Sequence, residues 1–410
     1  MKRLVVNLFL LLLSAAPVLA QQYTQRGFIE NRFTLYPQEA TNDRARTVGE
    51  ALFRYEGFYK PAAAFQFNVG LDIRTDTHHQ VERDAGLSWW DREQQRPLAA
   101  VRRLSGVYHN GGLAVEIGKQ FVRWGKADVL NPTDRFAPRD FLAVVDNEFL
   151  GITAARATYE KGSETIDLVW SPRLTPSRTP LLDQRWVVLP EELPPFLQLR
   201  EIEPNYPGGP QWGARWNHVG LLEVSASYYE GFNHLPLFDA RPADPTTIAL
   251  QKFYPKMRMI GADGAIPLHQ FGVKAEIAHF LSSDPRVDEY TQYVIQLERH
   301  SGEWTFVGGY AGESVSRTGT QTVDFAPDRG LSKTFLGTAR YTIDTNRSVA
   351  FEGSLRQNGD GAWLRSEYSQ AVGQHWRATV NFTLIRGEPS DFLGQYRRNS
   401  HLTLFVRYNF

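Results

Sequence analysis

Hydrophobic and polar residues alternate one by one along the last ten residues of the chain. One side of this segment carries Leu402, Leu404, Val406, Tyr408 and Phe410. The other side carries His401, Thr403, Phe405, Arg407 and Asn409. A period of two residues predicts a β-strand whose two faces meet different surroundings.

Runs of the same kind recur along the chain and predict eighteen strands. We expect them at 27–36, 49–59, 62–75, 98–108, 112–121, 151–160, 163–170, 212–218, 221–232, 256–267, 271–281, 289–300, 303–313, 333–343, 347–358, 361–372, 375–387 and 398–410. In 27–36, 98–108 and 256–267 one register does not hold throughout, so we expect a β-bulge in each.

The connections between these strands alternate between tight turns and long loops. Gly359-Asp360 is the exception, because it is short where a long loop is due. The longest loops are 76–97, 122–150, 171–211, 233–255 and 314–332. Short periplasmic turns and long outer loops are typical of bacterial outer-membrane barrels, which have an even number of strands. The pattern therefore predicts an all-β fold, a transmembrane antiparallel barrel of sixteen to eighteen strands with eighteen favoured.

The N-terminus predicts export. Lys2 and Arg3 precede an apolar run, and small residues around Ala20 suit cleavage, so we expect residues 1–20 to be a signal peptide. Residues 21–410 would then form a single barrel in the outer membrane. No later apolar run approaches the roughly 20 residues that a membrane helix needs.

Composition excludes several other classes of protein. The chain has no cysteine, and its 45 basic residues balance 45 acidic ones, which argues against nucleic acid as a partner. Aromatic residues make up 13% of the chain, as expected for girdles at the two membrane interfaces. No spacing of residues indicates a catalytic group, a metal site or a cofactor, so we predict that the chain is not an enzyme.

Charged residues on the polar faces of the strands should line a wet lumen, because each arginine or lysine facing lipid would cost about 2–4 kcal/mol. The last five strands are rich in arginine. Their predicted pore-lining residues are Arg340, Arg356, Arg365, Arg377 and Arg407, with Glu352 and Glu367. We call the five arginines the arginine strip, and we expect it to favour anions.

Loop 122–150 mixes charges with large apolar residues, which a fully solvated loop does not need. Its candidate constriction residues are Arg123, Trp124, Lys126, Asp128, Asp134, Arg135, Arg139 and Asp140. We expect the loop to fold into the lumen, where deletion of 126–140 would raise the conductance. The alternative is an outer loop that packs on its neighbours.

A short stretch resembles a known group of proteins. Gly118-Lys119-Gln120, then Trp124-Gly125, then Asn131-Pro132-Thr133-Asp134 is similar to a segment of Gram-negative outer-membrane barrels with porin-like or alginate-export-like architecture. The resemblance covers about twenty residues and implies an eighteen-stranded pore. It does not imply a particular solute.

Loop 171–211 contains nine prolines, which rule out a regular strand ladder over much of its length. Its apolar residues argue against plain disorder. We therefore expect a cap or a partial plug.

Together these features favour a passive channel for small hydrophilic solutes, with anions preferred. A second interpretation is an export conduit for an anionic polymer or lipid that works with a periplasmic or inner-membrane exporter. A third is a plugged barrel that serves as an adhesin or an outer-membrane hydrolase. Expected partners are outer-membrane lipid, the solute and the barrel-assembly machinery, which would recognise the C-terminal strand through Tyr408 and Phe410.

Overall fold

Eighteen antiparallel strands form the wall of a closed barrel in the computed structural model, which describes residues 22–84, 86–128, 130–188, 194, 196–320 and 325–410. Strands β1 to β9 are Tyr23–Leu35, Thr47–Ala62, Phe65–Asp76, Ala99–Asn110, Leu113–Gln120, Ile152–Lys161, Glu164–Ser171, Gln211–Val219 and Glu223–Phe232. Strands β10 to β18 are Lys256–Leu268, Phe271–Leu281, Glu289–Ser301, Trp304–Arg317, Thr334–Thr342, Arg347–Arg356, Gly361–Val372, Trp376–Gly387 and His401–Asn409. The predicted signal peptide, 1–20, lies outside the described residues.

The first and last strands close the ring. Strand β1 pairs with β18 from Phe28 opposite Asn409 to Leu35 opposite Leu402. The backbone of Phe410 exchanges two hydrogen bonds with Gly27, at 3.0 and 3.1 Å. A Cβ on Gly27 would lie 2.6 Å from the Phe410 ring, so this glycine makes room for the terminal aromatic residue.

The alternation seen in the sequence corresponds to the two faces of this wall. Large apolar side chains point outward and are exposed, among them Ile277, Ile295, Phe335, Phe351 and Leu404. Buried polar side chains alternate with them and point into the barrel, among them Asn68, Asp167, Glu276, Gln296 and Asn381. The prediction of an eighteen-stranded transmembrane barrel is confirmed, since lipid can cover only the apolar face.

One of the three predicted bulges is present. The register between β3 and β4 shifts so that Gly70 opposes Arg103 while Leu71 opposes Val101, which leaves Arg102 as the extra residue. The bulges expected in 27–36 and 256–267 are wrong, because β1 and β10 pair with both neighbours in an unbroken register. Small and polar residues on those strands weaken the alternation in the sequence, but they do not interrupt the hydrogen-bonded ladder.

All the long connections emerge at one end of the barrel. The connection between Ile152–Lys161 and its predecessor, residues 121–151, is called L3 below. Above the rim, Gln198–Asn205, Leu237–Asp244 and Thr247–Phe253 form a separate three-stranded sheet. A short helix, Pro327–Gly330, and a 3-10 helix, Gly394–Asn399, lie in two other loops. Among the described residues, no helix is long and apolar enough to cross a bilayer.

Candidate functional site

L3 folds into the barrel and packs against its inner wall. Trp124 and Phe136 are buried, and their rings meet edge to face with centroids 5.5 Å apart. Phe136 packs in the same way on Tyr229 of β9, at 5.0 Å. The Trp124 indole donates a 2.9 Å hydrogen bond to Asp167 of β7. The loop is thus fixed to the wall by both aromatic packing and a buried polar contact.

A glycine in the wall makes this packing possible. A Cβ on Gly213 of β8 would lie 2.7 Å from the rings of both Trp124 and Phe136. Replacement by alanine should therefore push the two rings away from the wall and destabilise the loop by about 1–3 kcal/mol. Limited proteolysis of the folded protein measures this, and we expect faster cleavage in L3. Gly308→Ala is the matched control, because nothing lies within 4 Å of the added Cβ; equal cleavage of the two variants would contradict the prediction.

Glu276 of β11 holds the first half of L3. Its side chain is 2% exposed and accepts hydrogen bonds from the backbone N–H groups of Lys126 and Ala127. It also accepts from the Asn131 amide at 3.3 Å and from the Thr133 hydroxyl at 3.1 Å. Four donors of one loop thus converge on a single carboxylate.

A second anchor lies beside this carboxylate. Lys126 Nζ lies 3.0 Å from both Asp263 and Glu223, and Arg215 donates to the backbone carbonyl of Trp124. Arg215 also pairs with Asp263 at 3.0 Å. Within L3, Asp134 accepts hydrogen bonds from the Trp124 and Gly125 N–H groups and so fixes the turn. These contacts anchor the first half of L3 to the inner face of β7 to β11.

The second half of L3 crosses to the opposite wall. Asp140 pairs with Arg96 at 2.9 Å and with Arg178 at 2.7 Å, so one carboxylate joins L3 to the neighbouring loops. Burial alone would raise the pKa of Asp140, but Arg96 and Arg178 outweigh it and hold that pKa well below its usual range.

Two further carboxylates of L3 face arginines of the wall. Glu148 lies 2.8 Å from Arg54 of β2 and 2.9 Å from Arg74 of β3. Asp146 lies 2.6 Å from Arg32 of β1 and 3.8 Å from Arg365 of β16. Burial opposes ionisation of both acids, yet the arginines lower the pKa of each of them. L3 therefore presents negative charge to a positive wall.

A cavity of about 280 Å³ remains between Asp146 and the wall of β16, β17, β18 and β1. We call it the pore cavity. Its charged lining comprises Glu30, Arg32, Asp146, Arg365, Glu367, Arg377 and Arg407. Phe405 also faces it, with the Arg32 guanidinium 4.6 Å from the ring centroid. Four arginines against three acids leave this lining with an excess of one positive charge.

The predicted pore-lining residues divide into three groups. Arg365, Arg377, Arg407 and Glu367 line the pore cavity. Arg340 and Glu352 oppose Ala350 and Arg365 in the neighbouring ladders and point to the same side of the wall. Arg356 lies elsewhere: it is held at the loop end by Asp391 at 2.8 Å and by the carbonyls of Gly330 and Ser332. The structure thus places Arg356 in the rim, where its charge is already paired.

Four of the eight candidate residues of L3 attach the loop to the wall, and the other four contact L3 itself or the neighbouring loops. Trp124, Lys126, Asp134 and Asp140 make the contacts above. Asp128 pairs with Lys274 at 3.1 Å, on the side away from the pore cavity. Arg135 is buried over Phe280, and Arg123 and Arg139 lie 4.3 and 4.2 Å from the Phe149 ring centroid. None of these eight residues lines the pore cavity.

Three charged residues that line the pore cavity were not predicted from the sequence: Glu30, Arg32 and Asp146. Glu30 and Arg32 share one face of β1, and that alternation was a usable signal. The poor alternation over the rest of 27–36 obscures it. Asp146 lies in a turn of L3 and has no periodic signal, so only its position in space identifies it.

The long proline-rich loop contributes to the rim. Trp186 is buried against Tyr396 and His401, with ring centroids 5.7 and 6.2 Å away. Its neighbour Arg185 stacks on Tyr36, 3.6 Å from the ring centroid. These contacts lie beside the last strand, so residues 185 and 186 of the loop pack over one edge of the opening.

This architecture is similar to that of solved outer-membrane proteins, although the sequence is not. No protein-family model and no curated protein matches the sequence. Among solved structures, OccAB3 from Acinetobacter baumannii aligns with a TM-score of 0.53 and 9% identity, over 95% of this chain and 99% of that chain. A BenF-like porin from Pseudomonas fluorescens Pf-5 aligns with a TM-score of 0.55 and 8% identity, over 94% and 98%. The fold is that of an outer-membrane porin.

A third porin-like barrel gives the same result. The outer-membrane protein opdK from Pseudomonas aeruginosa aligns with a TM-score of 0.53 and 7% identity, over 95% of this chain and 99% of that chain. The porin-like resemblance noted around L3 is therefore confirmed at the level of the fold.

Proposed function

We propose that this chain is a passive outer-membrane channel for small hydrophilic solutes, with a preference for anions. The observation that carries the proposal is the pore cavity, which is bounded by the inner wall on one side and by L3 on the other. Because the first half of L3 is anchored to the other side of the barrel, solutes would pass along the wall of β16, β17, β18 and β1. Water and guanidinium groups would replace the hydration shell of an anion there.

The position of the arginines supports the anion preference. Arg377 donates to the Ser369 hydroxyl at 3.0 Å, and Arg407 pairs with Glu30 at 2.5 Å. A guanidinium has five N–H donors, so these contacts leave capacity for a solute. The apolar outer face contacts lipid, and we propose that Tyr408 and Phe410 serve as the signal read by the assembly machinery.

Planar-bilayer recordings test the proposal. In a salt gradient the refolded protein should conduct and show a reversal potential on the anion side. Replacing Arg365, Arg377 and Arg407 together by glutamine should shift the lining from one excess positive charge to two excess negative charges and reverse the preference. The matched control is Arg347→Gln, which removes an exposed arginine at the turn end. A wild-type channel that prefers cations, or an unshifted triple variant, would contradict the proposal.

A further inference from the structure

The Asp146 carboxylate contacts two arginines of the barrel wall, as a passing anion would. It is 2.6 Å from an Arg32 nitrogen and 3.8 Å from Arg365, on strands β1 and β16. These two arginines lie on either side of β17 and β18 in the closed ring. The carboxylate therefore bridges guanidinium groups at one wall of the pore cavity.

The bridge is accessible from the pore cavity. The side chains of Asp146, Arg32 and Arg365 are 30%, 23% and 22% exposed, whereas Asp140 at the loop junction is 6% exposed. All three accessible side chains line the pore cavity. An incoming anion can thus reach the arginines without dismantling the buried contacts of L3.

The rest of the loop keeps Asp146 close to the wall. Asp140 before it and Glu148 after it hold L3 on either side of Asp146 in the sequence, and Asn147 donates to the Val144 carbonyl at 3.1 Å in the turn itself. A carboxylate tethered in this way competes as if it were present at millimolar or higher concentration. It also stays ionised, because Arg32 and Arg365 oppose the effect of burial on its pKa.

We propose that Asp146 is a specificity-determining residue that acts as a tethered competitor for the channel's anion site. A solute must displace the Asp146 carboxylate from Arg32 and Arg365 to pass along the wall of the pore cavity. Chloride offers one point of contact, while an oxyanion such as a carboxylate or a phosphate matches the fork of the guanidinium. Asp146 therefore raises the threshold for simple ions and favours oxyanions. This inference rests on the proposed channel function.

The test compares Asp146→Asn with the wild-type channel in planar bilayers. Removing the competitor should shift the reversal potential further toward anions, with about a threefold larger chloride-to-potassium permeability ratio. Inorganic phosphate should block the chloride current at about tenfold lower concentration, because it no longer competes with a tethered carboxylate. Asp146→Glu keeps the charge and should restore wild-type values of both quantities.

Asp128→Asn is the matched control, since it removes one carboxylate of the same loop on the side facing Lys274. It should leave both quantities unchanged, and a shift as large as that of Asp146→Asn would overturn the inference. If Asp146→Asn does not fold, as judged by heat-modifiable migration, Asp146→Ser provides the same charge change. If the wild type prefers anions but Asp146→Asn changes neither the permeability ratio nor the block by phosphate, this inference alone is wrong. If the wild type prefers cations, the proposed function is wrong.

Discussion

Replacing Glu276 by alanine will release the first half of L3 and increase the single-channel conductance several-fold. The substitution leaves four donors of the loop without their common acceptor: two backbone N–H groups, the Asn131 amide and the Thr133 hydroxyl. Losing hydrogen bonds to a buried charged acceptor should weaken attachment of the loop by about 3–5 kcal/mol. Single-channel recordings measure the result, and current noise should rise as the loop samples the lumen.

Glu116→Ala is the control for this experiment. Glu116 also points into the barrel, but it pairs with Arg103 and Ser105 of the adjacent strand β4. Its loss should leave the conductance close to that of the wild type. Glu276→Gln keeps one acceptor oxygen and should give an intermediate conductance. An unchanged conductance in Glu276→Ala would show that this carboxylate does not hold the loop.

Replacing Asp140 by asparagine will destabilise the junction of three loops. The carboxylate is shared by Arg96 and Arg178, and it also accepts the Leu142 N–H at 3.1 Å. The neutral amide removes the nearest counter-charge of two buried guanidinium groups and leaves only the longer pairs of Arg96 with Glu50, at 3.6 Å, and Arg178 with Asp91, at 3.7 Å. This loss should cost about 3–5 kcal/mol. We expect a lower temperature for the loss of heat-modifiable migration and faster proteolysis of L3.

The same carboxylate predicts how the junction responds to acid. Because the pKa of Asp140 is lowered in the folded state, its stabilising contribution is present above the unfolded pKa and is lost as pH falls through the folded one. Stability of the junction should therefore stay constant from neutral pH down to about 4 and fall only in stronger acid. Asp344→Asn is the control, since its pair with Arg347 is exposed and contributes little. A loss of stability between pH 7 and 5 would contradict the assignment.

The wall of the barrel could be predicted from the sequence because lipid and water impose opposite demands on alternate residues. Ile295 is apolar and exposed on the outer face, whereas its neighbour Gln296 is polar and buried on the inner face. This difference between neighbours appears in the sequence as a period of two residues. Turns and loops added an independent signal through their lengths. The bulge at Arg102 was also detectable, because two adjacent arginines cannot both follow strict alternation and still face the lumen.

The constriction could not be predicted in the same way. Glu276 and Glu367 occupy equivalent polar positions on their strands, yet one holds L3 and the other lines the pore cavity. Periodicity distinguishes inside from outside but does not distinguish a wall residue covered by a loop from one exposed to solvent. Arg356 illustrates the same limit, because its partner Asp391 comes from a loop with no repeating pattern.

The pairing of β1 with β18 has a consequence for biogenesis. Glu30 and Arg407 are separated by 377 positions along the chain, yet they form an ion pair across this seam. Contacts between such distant segments form late and slowly. Until the last strand arrives, the edge of the first strand offers unpaired backbone groups on which another chain could polymerise. The growing sheet therefore needs protection along this edge throughout its assembly, until β1 and β18 pair and the Glu30–Arg407 contact forms.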